Sequence, residues 1–173
     1  MRKARVVLMV VLAGLLLAQV GVRAGETLPF RAELQVTAES LSQDWLSSCI
    51  GMGYDFAFEA ARAGQVTHLG RVTSLERGCL SFENSPIVRS DVWLTITAAN
   101  GDVLRVAAEV DFDFSQEEPP ATGTFMVTGG TGRFTSAVGR GAIRNVVMQG
   151  NAGFIIILEG WITYDASDRG SKK

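Results

Sequence analysis

The sequence predicts an all-β domain, an eight-stranded antiparallel up-and-down β-barrel, preceded by an N-terminal signal peptide. Three observations favour this fold class. Apolar and polar residues alternate with a period of two, glycine-containing turns separate the alternating runs, and no amphipathic helix of about ten residues or more follows the leader. The clearest run spans residues 104–114, where one parity is apolar and the other is mostly charged, as expected for a strand with one buried and one solvated face.

The first half of the chain supplies three strands, near residues 28–39, 52–61 and 65–76. In the first of them every second residue is apolar, at Leu28, Phe30, Ala32, Leu34 and Val36. Residues 40–50 are predicted to form a short helix or turn, with Ser42 and Asp44 as candidate N-terminal caps. The turn between the second and third strands is predicted at Ala63-Gly64-Gln65.

The second half supplies five strands, near residues 90–99, 102–114, 121–129, 136–147 and 153–165. Asn100-Gly101-Asp102 is a strong hairpin signal because its central residues accept a positive φ. No strand crosses the Pro119-Pro120 pair, since proline cannot donate to a ladder. Closure into a barrel removes exposed strand edges, and a two-sheet sandwich is the alternative. An eight-stranded barrel is wide enough to be filled by side chains or to hold one small ligand.

The N-terminus has the pattern of a secretory signal peptide. Arg2, Lys3 and Arg5 precede an uncharged apolar run, residues 6–18, and cleavage is predicted after Ala24. A retained membrane anchor is the alternative, but the run is short of the roughly 20 residues that a spanning helix needs. We therefore expect residues 1–24 to be removed, 25–168 to form one domain, and 169–173 to be a polar tail. The expected location is secreted or periplasmic, with no stable membrane span after cleavage.

Removal of the leader makes the chain acidic. The full chain has 16 basic and 18 acidic residues; the leader contains four of the bases and no acid, so the mature chain has a net charge of −6. A nucleic acid partner requires a basic surface, and we expect none.

Two cysteines, Cys49 and Cys79, follow the leader. In an oxidising compartment such a pair is expected to form a disulfide. The alternative is a reactive thiol, which would need a histidine or a positive charge beside it. The chain has one histidine, His68, and nothing in the sequence places it near either cysteine.

The segment Val127-Thr128-Gly129-Gly130-Thr131-Gly132 is similar to the glycine loop of dinucleotide-binding folds. The third glycine of Gly-x-Gly-x-x-Gly is missing, however, because Thr135 occupies its position. The preceding residues also alternate like an antiparallel strand, and no Gly-Lys-Ser/Thr follows that would mark a P-loop. We therefore expect no nucleotide and no other cofactor.

Residues 130–139, Gly-Thr-Gly-Arg-Phe-Thr-Ser-Ala-Val-Gly, resemble the signature of the allene oxide cyclase and dirigent barrel superfamily. Further short segments are similar to its bacterial secreted branch: residues 67–71 on an early strand, 98–102 at a central hairpin and 158–164 at the close. The resemblance implies an eight-stranded barrel with an apolar cavity, and it makes a homotrimer an expectation. The catalytic and radical-orienting residues of the superfamily are not matched, so no activity is transferred.

His68 is the one candidate catalytic residue. Its parity with Val66 and Val72 would turn it inward, where a neutral imidazole could bind or move a proton; the alternative is a structural histidine at a barrel end. One histidine and a bonded cysteine pair are too few ligands for a metal site. The absence of a catalytic constellation favours a protein that binds a small apolar ligand or has a structural or interaction role. A cyclase- or dirigent-type enzyme acting on a lipid-derived or phenolic substrate is the alternative, and lipocalin-like transport is weaker because the Gly-x-Trp of its first strand is missing.

Overall fold

The computed structural model describes residues 26–116, 119–147 and 154–165 and shows a closed barrel of eight antiparallel strands in sequence order. This confirms the predicted barrel, and the first strand pairs with the last. The strands are β1 (Leu28–Leu41), β2 (Phe56–Val66), β3 (Gly70–Ser81), β4 (Ile87–Ala98), β5 (Val103–Asp113), β6 (Ala121–Gly130), β7 (Val138–Val147) and β8 (Phe154–Thr163). One helix, α1 (Gln43–Gly51), joins β1 to β2, and a 3₁₀ turn spans Gly132–Phe134. The predicted signal peptide and C-terminal tail lie outside the described residues.

The predicted alternation sets the inside and the outside of the barrel. On β5, Leu104, Val106, Ala108 and Val110 are buried in the lumen. Their neighbours Arg105, Glu109 and Asp111 are exposed on the outer wall. The pattern stops at Phe114, which lies beyond the end of the strand and is exposed.

The turn predicted at Ala63-Gly64-Gln65 is wrong. β2 continues to Val66, and the reversal occurs at residues 67–69, so the segment 67–71 is mainly a turn and not a strand. Gly64 lies within β2 opposite Leu34, where a Cβ atom would come within 1.8 Å of the carbonyl oxygen of Glu33. Glycine is required there for close approach of two backbones, not for chain reversal.

The barrel has two different ends. The turn end carries the short connections at residues 67–69, 99–102 and 131–137. It is closed by buried Phe134 and Tyr164, whose ring centroids lie 4.9 Å apart. The glycine-rich segment belongs to this end: Gly129 and Gly132 have φ angles of +109° and +55°, which glycine adopts without strain. The helix end carries α1 and the β3–β4 and β5–β6 connections.

Helix α1 packs on the outer wall near the helix end. Its N-cap is Ser42, one of the two residues predicted as caps. The Ser42 hydroxyl accepts a hydrogen bond from the backbone N–H of Trp45 at 3.3 Å. Cys49 and Cys79 form the predicted disulfide, which ties α1 to β3. The reactive-thiol alternative is thereby excluded. The ring of Trp45 meets that of Trp93 on β4 edge-on, with centroids 5.9 Å apart.

Candidate ligand site inside the barrel

The lumen contains a packed apolar region at its turn end and a few buried polar side chains elsewhere. Towards the turn end it is filled by large fully buried side chains, among them Ile96, Leu104, Phe134 and Ile162. In the middle of the lumen, the ring centroids of Phe30 and Phe125 lie 5.6 Å apart. Phe125 lies against Gly141, where an added Cβ would be 2.6 Å from its ring. This region therefore behaves as a packed core.

The middle of the lumen contains a buried ion pair, Arg62–Glu76. Arg62 lies on β2 and Glu76 on β3, at positions whose side chains face the lumen, and each residue is 2% exposed. The guanidinium Nε of Arg62 donates to Oε2 of Glu76. Burial raises the pKa of Glu76 above its ordinary value of 4.5, and the opposing attraction of Arg62 does not fully offset this. A charge pair inside an apolar barrel is costly, which makes it a candidate functional element.

Two buried serine hydroxyls also face the lumen, one of them beside the ion pair. Ser74 lies beside Arg62 across the β2–β3 ladder, and Ser90 lies on β4 opposite Leu80. Both hydroxyls are buried, and neither has a hydrogen-bond partner among the described residues. A buried hydroxyl without a partner destabilises the fold by about 1–3 kcal/mol unless water or a ligand satisfies it. The lumen therefore contains two buried hydroxyl groups that are available to a water molecule or a ligand.

A small cavity of about 10 Å³ borders the ion pair. This is room for about one water molecule. Its walls are mostly apolar and come from six strands, with lining residues Glu76, Val92, Val110, Phe112, Ala121, Ile143, Arg144, Asn145 and Ile156. Phe112 and Ala121 place it near the helix end, because they lie at the end of β5 and the start of β6.

Asn145 fixes the rim beside this cavity. Its side-chain amide donates to the carbonyl of Pro119 at 3.0 Å, and its amide oxygen accepts from the backbone N–H of Ala121 at 2.7 Å. The side chain therefore joins β7 to the start of β6. The half-buried ring of Phe112 packs against the buried core on one side and lies 6.2 Å, between centroids, from the ring of the exposed Phe114.

A second pocket lies outside the lumen at the helix end. It is an open groove of about 700 Å³ lined by Gly53, Asp55, Phe56, Ser81, Phe82 and Glu83. The rings of Phe56 and Phe82 pack edge-on at 5.4 Å, and the Asp55 carboxylate accepts from the backbone N–H of Phe82 at 2.7 Å. The groove is wide and shallow, and its polar groups already contact one another. The lumen is the better enclosed candidate.

His68 lies at the turn end, away from the cavity. It occupies the β2–β3 turn with a φ of +68°, so the strand parity used to place it inward does not apply. Its Nε2 lies 2.9 Å from the carbonyl oxygen of Pro29, and its ring is 5.6 Å from that of Tyr164. Its own carbonyl accepts from Arg133, which also contacts Asp102. These contacts are those of a turn residue that helps to close the barrel.

Sequence reasoning missed Arg62 and Glu76. Both have the parity of lumen-facing residues, and a charge at an inward position was the signal available. The misplaced turn at residues 63–65 concealed this signal, because it put Arg62 between two strands. The disulfide cysteines, by contrast, lie on the outer wall beneath α1 and do not contribute to the lumen.

Comparison with family models, with curated proteins and with solved structures gives no match to this chain. The resemblance to the allene oxide cyclase and dirigent superfamily therefore stays a prediction. Among the described residues, no group of three or more His, Cys, Asp or Glu side chains is placed to hold a metal ion. Within the same residues, no helix has the length and apolar character needed to cross a membrane.

Proposed function

We propose that the protein is an exported allene-oxide-cyclase-like barrel that binds one small, largely apolar molecule in the helix-end half of its lumen. The supporting observation is the combination, at one cavity, of mostly apolar walls with the carboxyl group of Glu76, which is buried in an ion pair with Arg62. Small-molecule sites characteristically combine apolar walls with a few buried polar groups that orient the ligand. The ligand would direct its polar group towards Glu76 and its apolar part towards Phe112.

Binding requires the cavity to enlarge, because its present volume of about 10 Å³ is too small for an organic ligand. Rotation of Phe112 towards the exposed Phe114 would open the lumen at the helix end. The turn end stays closed in this scheme, since Phe134, Tyr164 and Arg133 pack against one another there.

The test is saturable binding of the neutral fluorescent probe N-phenyl-1-naphthylamine. Ala121→Trp is expected to weaken binding at least about tenfold, because the buried Ala121 lines the cavity and an indole would fill it. The matched control is Thr122→Trp, one residue further on the exposed outer wall, which should bind like the wild type.

Melting temperatures of all variants check that they fold, and Ala121→Met replaces Ala121→Trp if the latter does not. Absence of saturable binding by the wild type, or equal weakening by both tryptophan variants, would contradict a lumen site. Native mass spectrometry of the protein from its own host checks independently for a retained ligand.

A second candidate function is an enzyme of cyclase type. The observation that favours it is that Glu76 lines the cavity and that burial raises its pKa, because a raised pKa brings a carboxyl group closer to the range in which a general acid works. Recovery of a retained molecule separates the two functions. A binding protein returns the molecule unchanged from wild type and Glu76→Gln alike, whereas an enzyme converts it only in the wild type.

A further inference from the structure

The outer wall carries an apolar row across three adjacent strands. Trp93 on β4 pairs with Ala107 on β5, and Ala107 pairs with Met126 on β6, so the three side chains lie side by side facing outward. Trp93 is 37% exposed, with one side of its ring against Trp45 of α1, and Met126 is 61% exposed. We call these three residues the wall row. A tryptophan and a methionine exposed together on a rigid sheet form the kind of surface that protein interfaces favour.

The two flanks of the wall row differ in charge. On the turn-end side, Arg105 on β5 is flanked by Thr95 and Thr128. On the helix-end side, Glu109 on β5 is flanked by Asp91 and Thr124. One flank is therefore positive and the other negative. Arg105 and Glu109 lie two residues on either side of Ala107, each about 7 Å from it along the strand.

We propose that this wall is the interface of a two-fold symmetric homodimer, in place of the homotrimer that the family resemblance implies. A two-fold axis running along the wall row places β5 of each copy antiparallel to β5 of the other. Ala107 then lies opposite its own copy, and Arg105 of each copy faces Glu109 of the other. The same operation sets Thr95 opposite Asp91 and Thr128 opposite Thr124, so no like charges meet among the flanking residues. Arg77, the neighbour of Trp93 on β3, is paired with Glu59 on the side away from the wall row. The surface is self-complementary, as an isologous interface requires.

A second copy fits this surface better than an unrelated partner, because opposite charges at equal distances from an apolar centre are what self-pairing requires. Glu109 has capacity for a further cation: its side chain is 67% exposed despite the contact with Arg89 at 2.9 Å. The next residue across the ladder, Arg140 on β7, does not oppose the pairing. Its guanidinium lies over the ring of Trp161 on β8, on the side away from Met126.

Sedimentation equilibrium of the purified protein tests the proposal. The wild type is expected to be a dimer. Arg105→Glu and Glu109→Arg should each raise the dimer dissociation constant by about tenfold or more, because each single change creates two like-charge pairs. The double charge exchange, Arg105→Glu with Glu109→Arg, should restore dimerisation, since it recreates both opposite-charge pairs in reverse order.

Met126→Asp should give a monomer, because it buries a carboxylate at the centre of the interface. The control is Leu41→Asp, an equally exposed apolar residue at the end of β1 on the far side of the barrel, which should remain a dimer. Melting temperatures identify any variant that fails to fold. A monomeric wild type, a trimer, or a dimer that both single charge reversals leave intact would overturn the proposal.

Discussion

Arg62→Met is expected to lower the free energy of unfolding at neutral pH by about 3–5 kcal/mol, because it leaves the Glu76 carboxylate buried without its counter-charge. The comparison is with Arg77→Met, which removes the partner of Glu59 from the solvent-exposed side of the same two strands. That outer-wall pair contributes at most about 1 kcal/mol to the free energy of unfolding, because water screens its charges. Urea denaturation measures both variants.

The double variant Arg62→Met/Glu76→Leu should recover most of the lost stability, because apolar side chains of similar volume replace a costly buried pair without leaving a charge behind. Full stability without probe binding would indicate that the ion pair is retained for the ligand and not for the fold. Equal losses for Arg62→Met and Arg77→Met would contradict the buried position of the pair.

Removing the disulfide with Cys49→Ala/Cys79→Ala is expected to lower the free energy of unfolding by about 3–4 kcal/mol. The bridge closes a loop with a sequence separation of 30, and such a loop restricts the unfolded chain by an amount of this size. The loss should appear as a lower urea midpoint, with the far-ultraviolet β signal retained under native conditions, because the barrel ladder closes without α1.

The control is Ser47→Ala/Ser48→Ala, two exposed positions on the same helix, which should change stability by less than about 0.5 kcal/mol. A loss below about 1 kcal/mol in the cysteine variant would contradict the chain-entropy account. Complete loss of the β signal would show instead that α1 is required for closure.

The strand pattern was predictable because closure forces one parity inward on every strand. The run from Leu104 to Val110 shows this most clearly, and the predicted hairpin at Asn100-Gly101-Asp102 is present, with a positive φ at Gly101 alone. Gly64 shows the limit of such reasoning. A glycine needed for close backbone approach and a glycine needed for a turn are indistinguishable in the sequence, and the difference moved a turn by several residues.

The candidate site was harder to predict than the fold. Arg62 and Glu76 are 14 residues apart and become neighbours only through the β2–β3 register, which depends on where the turn falls. His68 had the chemical character of a catalytic residue, but the actual turn places it at the opposite end of the barrel. Side-chain chemistry was visible in the sequence, whereas the juxtaposition that makes a site was not.

The closed end of the barrel and the proposed ligand site therefore lie at different ends. The glycine-rich segment and its neighbours close the turn end, where Phe134 is fully buried and Arg133 contacts the His68 carbonyl. The cavity lined by Glu76 lies towards the helix end. The segment 130–139, which resembles the allene oxide cyclase and dirigent signature, therefore closes the turn end of the barrel. The residues that we propose bind a ligand lie outside this segment.

The most direct test is a carbon-13 NMR titration of the Glu76 carboxyl group, assigned with Glu76→Gln, in the free protein and with saturating N-phenyl-1-naphthylamine. We expect a midpoint above 4.5 in the free protein and a chemical-shift change on probe binding that the half-buried Glu59 on the outer wall does not share. Because this pKa is raised on folding, wild-type stability relative to Glu76→Gln should fall as the pH rises above 4.5. A midpoint at or below 4.5, or a Glu76 signal that does not respond to the bound probe, would contradict a buried carboxyl group at a lumen ligand site.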